Sequence, residues 1–112
     1  MALALNKFRL LTKNLVSGSN TIYQENIDVA TIILSCQITN ITSSIQSCDV
    51  AIQKSGSLSQ ITLLRNAVIP VDESLNPLAG KIVLERNDAF VIKTSVSGSL
   101  DVVLSVLENA IN

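Results

Sequence analysis

The chain has no histidine and no tryptophan, and only one tyrosine, two phenylalanines, two cysteines and two prolines in 112 residues. Each shortage removes a class of function. Without His, the side chain whose charge changes near neutral pH is missing, and with it any Ser-His or Cys-His nucleophile pair. Two cysteines without histidine argue against a zinc site. Tyr23 alone, with no Trp beside it, gives a sugar-binding platform of stacked rings little to be built from. Charged residues make up 15% of the chain, well below the usual quarter. The eight basic residues are scattered singly and the net charge is -1, so no basic stripe exists to neutralise a nucleic-acid backbone. No run of about 18 apolar residues is present, which argues against a membrane-spanning helix. The opening Met1-Ala-Leu-Ala-Leu-Asn-Lys7 has a short apolar run with its charge after it, unlike a signal peptide. Synthesis in a cytosol without export is the expectation.

Candidate motifs dissolve in the same way. Asp72 and Glu73 are adjacent, so their side chains diverge, and the pair reads as a solvated loop. Gly18, Gly56, Gly80 and Gly98 stand alone at expected turns, not in a phosphate-cradling loop. Asn40-Ile-Thr42 fits the glycosylation triplet, which is common by chance. The chain therefore reads as non-enzymatic, with no catalytic residue, no cofactor and no metal ligand to nominate.

What is present is alternation. Ala30, Ile32, Leu34, Cys36 and Ile38 occupy successive even positions, with Thr31, Ser35, Gln37 and Thr39 between them. A period of two predicts a strand over 29–40 with its even positions inward. Similar segments follow at 21–24, at 47–54, and at 60–65 with Ile61 and Leu63 inward. The stretch 67–71 continues extended, and Pro70 confines it to an edge or bend. Further strands are expected at 81–84, at 89–95 with Phe90, Ile92 and Thr94 on one face, and at 100–108. Turn signals fall at 16–21, 25–28, 54–57, 72–77 and 87–88. The spacing predicts hairpins joining 29–40 to 47–54 and 89–95 to the last strand. Cys36 and Cys48 would then enter the core from neighbouring strands, as reduced apolar fillers or, given a suitable register, as a disulfide.

Seven or eight short strands without β-α alternation predict an all-β fold: a single antiparallel β-sandwich or jelly-roll-like domain. Residues 15–112 form that domain, preceded by an N-terminal arm or edge segment at 1–14. The last strand is unusual. Leu100, Val102, Leu104 and Val106 line one face, while Val103 and Leu107 add apolar atoms to the other. A strand apolar on both sides is buried on both sides, so its outer face needs a cover: the arm or a neighbouring subunit. Leu3, Leu5, Phe8 and Leu10 on the arm, with Val103 and Leu107, are therefore the candidate contact residues.

An ordered set of blocks carries a resemblance. They are Asn20-Thr-Ile-Tyr23, Thr31-Ile-Ile-Leu-Ser-Cys-Gln-Ile-Thr-Asn40, Cys48-Asp-Val-Ala-Ile52 and Val68-Ile-Pro-Val71. After these come Leu78-Ala-Gly-Lys-Ile-Val-Leu84, Asn87-Asp88 and Leu100-Asp-Val-Val-Leu-Ser-Val-Leu-Glu108. From about Ser19 to Glu108 the chain resembles a family of small bacteriophage virion proteins common in cyanophages. That family typically has Pro after its Tyr strand and often Gly before the Asp of the late turn; here stand Gln24-Glu25 and Asn87. The resemblance implies a non-enzymatic structural subunit of the virion, made in the host cytoplasm. A capsid cement or decoration protein is the first expectation, partnered by itself as a homo-oligomer such as a trimer and by a major capsid or other virion protein. A neck, tail or fibre component, including a glycan- or receptor-binding module, is the alternative. Neither nucleic acid nor membrane is an expected partner.

Overall fold

A computed structural model describes residues 5–24, 29–54 and 60–110, and among them the alternating segments become strands without any helix. In chain order these are β1 (Leu5–Asn14), β2 (Gly18–Gln24), β3 (Val29–Asn40), β4 (Gln46–Gln53), β5 (Gln60–Ile69), β6 (Ser74–Leu75), β7 (Ile82–Leu84), β8 (Ala89–Thr94) and β9 (Leu100–Ala110). They form two antiparallel sheets packed as a β-sandwich. The first runs β1-β9-β3, with β6 and β7 both on the far side of β3; the second runs β2-β8-β4-β5. Strands consecutive in sequence occupy matching places in the two sheets: β1 over β2, β9 over β8, β3 over β4. This double track is the wrapping of a jelly roll.

The expected hairpins are therefore sheet-switching corners. β3 pairs with β6, β7 and β9, whereas β4 pairs with β5 and β8. Likewise β8 and β9 belong to different sheets. Of the strands consecutive in sequence, only β4 and β5 pair with each other. The reason is burial: β3 and β4 each have one apolar face, and both faces are covered when the strands lie across the core from each other. Lying side by side would leave a second layer to be found elsewhere.

The period-two reading of β3 also fails at one residue. Ile33 pairs with Val106 and Ser35 with Ser105, so Leu34 is an extra residue in a β-bulge. Before it the odd positions face the core, with Thr31 and Ile33 fully buried; after it the even positions Cys36, Ile38 and Asn40 do. Ile32 is turned to the outer face, opposite Val83 and Leu107. A second correction concerns β5. Ile61 was expected inward but is 59% exposed, because β5 is the sheet edge and its register against β4 shifts between Cys48 and Val50 and again by Ala51. Asn66 accommodates this with a φ of 53° while its N–H donates to Asp49 Oδ1 at 2.7 Å. Strand β6, within the stretch read as a loop at 72–77, had no signal of its own.

Leu15, Ile33, Ile38, Val50, Ile69, Leu84, Phe90, Ile92, Leu100, Val102, Leu104 and Val106 fill the space between the sheets. Cys36 and Cys48 are free, buried thiols contributed by opposite sheets rather than neighbouring strands. Within the segment 1–14, residues 5–14 pair along β9 from Leu5↔Ala110 to Asn14↔Asp101. The turn read at 25–28, and all of the turn at 54–57 but Lys54, lie outside the described residues.

Corners are organised by asparagines. The Asn20 amide accepts from Val16 N–H and donates to the carbonyls of Val16, Gly18 and Ile92. Asn40 donates to the carbonyls of Ser44 and Ile69 and accepts from Thr42 N–H and Oγ1. Asn40 is 1% exposed, so the glycosylation triplet has no accessible amide. Gly98 has a φ of 77° and donates its N–H to Leu15 O, a conformation that closes the β8–β9 corner against the β1–β2 corner. Asn87 stands at φ 65°, in the left-handed region that Gly and Asn adopt most readily.

Candidate assembly face

The two outer faces of the sandwich differ in chemistry. On the second sheet, Lys93 pairs across strands with Asp49, and Val91 and Ala51 lie buried in register with Thr21 and Thr62. Lys93, Asp49, Ser19, Thr21, Ser47 and Thr62 share that face with the exposed Val68. The first sheet presents a different row. Val83 on β7 stands opposite Ile32 on β3, Ile32 opposite Leu107 on β9, and Leu107 opposite Phe8 on β1. Four strands thus place four apolar side chains in one line across the outside of the molecule. Phe8 is 72% exposed and Val83 61%, with Ile32 and Leu107 half-buried between them.

Leu10 lies one step along, 66% exposed, opposite Ser105. Together with Phe8, Arg9, Leu34, Ser105 and Val106 it borders an open groove of about 380 Å³. The Leu34 bulge matters here: it turns Ile32 outward to complete the row. Farther along, Val103 sits opposite Thr12 and Gln37, half as exposed as Phe8, and the face grades into hydroxyls and amides.

The structure therefore brings Phe8, Leu10, Val103 and Leu107 onto one surface. Leu3 lies outside the described residues, and of Leu5 only the backbone pairing to Ala110 is described. Ile32 and Val83 belong to the same row and were missed. Ile32 was assigned inward by the alternation that the bulge breaks, and Val83 was read only as part of a short strand. The described part of the N-terminal segment extends this sheet edgewise and leaves its outer face uncovered.

One end of the sandwich is closed by polar groups. Tyr23 is 7% exposed, and its hydroxyl donates to Glu108 Oε2 and lies 3.1 Å from Thr31 Oγ1. Arg9 completes the group with a 3.2 Å contact to Glu108. A buried tyrosine ring offers no stacking surface to a sugar. At the turn before β8, Asp88 is 2% exposed and accepts from Lys54 Nζ at 2.8 Å and Glu85 N–H at 2.9 Å. Hydrogen bonds to Asp88 first and Glu85 second hold the Lys54 ammonium above its ordinary pKa. Both clusters tie strands together through side-chain contacts. Among the described residues no group of three His, Cys, Asp or Glu side chains is placed to hold a metal ion.

No protein-family model matches the chain, and no curated protein does. Solved structures do share the fold. A chain of the Bacillus endospore appendages, which form disulfide-linked pili, matches with a TM-score of 0.60 at 10% identity, over 100% of this chain and 92% of that one. A chain from the acid-stable capsid of Helicobacter pylori bacteriophage KHP30 matches with a TM-score of 0.55 at 9% identity, over 100% of this chain and 97% of that one. The Drosophila NLP core, a structure bearing on pentamer formation and histone binding, matches with a TM-score of 0.51 at 16% identity, over 96% and 100%. At such identities the likeness is one of fold: a jelly-roll-like sandwich found in phage capsid and pilus chains.

Proposed function

We propose that this chain is a non-enzymatic structural subunit of a bacteriophage virion, cementing or decorating the capsid, made in the host cytoplasm and carried on the particle. The observation that carries the reading is the apolar row Val83, Ile32, Leu107 and Phe8 on the outside of a sheet. A soluble monomer gains nothing from such a row. Burying one exposed Phe or Leu side chain contributes about 1.5–3 kcal/mol, so the row represents a substantial driving force for assembly. The block resemblance to cyanophage virion proteins and the sharing of this fold with a phage capsid chain support the same reading. So does the assembly of the other fold relatives into pili and pentamers. Partners on this reading are other copies of the chain and a major capsid or other virion protein.

The mechanism is mechanical. A sandwich tied at one end by Arg9, Glu108, Tyr23 and Thr31 and at its corners by Asn20 and Asn40 deforms little. Such a body can transmit load between neighbours that bury its outer face. Stoichiometry in purified particles tests the assignment. Hundreds of copies per particle, by quantitative mass spectrometry against the major capsid protein, is the expected result. About a dozen copies would place it in a neck, tail or fibre instead, and its absence from particles would reject the virion reading.

A further inference from the structure

The strands at the sheet edges resist lateral extension. β1 turns Lys7, Arg9 and Lys13 to the side of its sheet that faces the other layer, opposite Glu108, Val106 and Val102. Charge pointing inward on an edge strand opposes pairing with another strand. β2 carries an irregularity between Thr21 and Tyr23, and β5 shifts register twice and holds Asn66 left-handed. Bulges twist an edge out of line with any incoming strand. Assembly by strand addition is thus opposed at these three long edges.

The outer face of the β1-β9-β3 sheet carries no such defence. Among the described residues whose register turns them outward on β1, β9 and β3, Asp101 is the one charge; it accepts a 2.8 Å bond from the Asn14 amide and lies at the end of the sheet far from Phe8, Ile32 and Leu107. The apolar part of the face, away from Asp101, has nothing to offer a charged partner and meets an identical row without like-charge repulsion. Its size also fits. Three strand positions of ten to twelve residues, with the short β6 and β7 at the fourth, span roughly 550 Å² in projection at about 4.8 Å between strands and about 3.3 Å per residue. Side-chain relief raises the accessible area toward the roughly 800 Å² per partner of a standard interface.

We propose that the occupant of this face is a second copy of the same chain, docked sheet to sheet in a twofold pair centred on Phe8, Ile32 and Leu107. The inference rests on the assembly reading only in taking this face as the contact. The pair forms in solution without any other virion component.

Sedimentation equilibrium of the purified full chain between about 1 and 100 μM tests it. The expected result is a monomer–dimer equilibrium that persists in 1 M NaCl, as an apolar contact should. Leu107→Glu should weaken the dimer at least tenfold with an unchanged β-type circular dichroism spectrum. Phe8→Ser, at a side chain too exposed to support the core, should do the same and serves if the first variant folds poorly. Thr62→Glu, on the opposite outer face, should leave the dimer intact. A wild-type monomer at 100 μM, a trimer or ring, a dimer dispersed by salt, or a dimer indifferent to both variants would each overturn the proposal. A dimer in solution together with absence from particles would sink the virion assignment and leave the pairing standing.

Discussion

Tyr23 on β2 and Glu108 on β9 meet across the gap between the two sheets, hydroxyl to carboxylate, 85 residues apart in the chain. Glu108 is the inward-facing acid of its strand, and Arg9 and Tyr23 are what make that position tolerable. A hydrogen bond to a charged group contributes about 1.5–3 kcal/mol. Tyr23→Phe should therefore lower unfolding free energy by about 2 kcal/mol in urea denaturation, with the fold retained. An unchanged midpoint would mean that Arg9 and Thr31 suffice.

The assembly face gives a variant with a sharper readout. Val103→Glu combined with Leu107→Glu places two carboxylates on the outside of β9, the face opposite the core residues Leu104 and Val106. The double variant should express as a folded protein and fail to enter particles when supplied in trans during infection. Normal incorporation would move the contact to another surface.

Asn40 links β3 to the β5 end through Ile69 O and shapes the 41–45 corner through Ser44 and Thr42. Asn40→Ala removes the partners of several buried groups at once. It should cost about 2–4 kcal/mol, because each unsatisfied buried group costs about 1–3 kcal/mol. The thermal midpoint checks it, and a shift of under a degree would show the corner to be held by backbone alone.

The buried thiols predict an alkaline weakness. Burial first, and the charge of Cys48 second, pushes Cys36 up to about 12. Burial first, and Asp49 second, pushes Cys48 up to about 11. Above the ordinary thiol value of 9.0, the unfolded chain loses protons that the folded one keeps, so stability falls as pH rises from about 9 toward 11. The slope is at most about 1.4 kcal/mol per pH unit for each thiol. Replacing both with Ala should lower stability at neutral pH but flatten that decline, measured by urea midpoints at pH 8, 9, 10 and 11.

Some of the molecule was legible residue by residue. Phe90, Ile92 and Thr94 alternate without interruption, and all three are buried. Leu100 to Val106 likewise place every even side chain in the core and turn Val103 outward. Pro70 confined its stretch to an edge or a bend, and β5, which stops at Ile69, is an edge strand. In each case the signal is carried by adjacent residues and needs no knowledge of what lies across from them.

Pairing is another matter. Whether β4 lies beside β3 or across from it depends on which arrangement buries the apolar faces of all the strands together, and both choices present the same alternating sequence. The bulge at Leu34 exists because β3 has one residue more than β9 between Ile33 and Ser35, a mismatch between distant segments that neither displays alone. Chain chemistry by itself determined extended backbone and two-faced strands, because those follow from side-chain type and the geometry of a single strand. Only the tertiary structure decided that Ile32 and Val83 join Phe8 and Leu107 in one exposed line, because register between strands far apart in sequence is settled by collective packing.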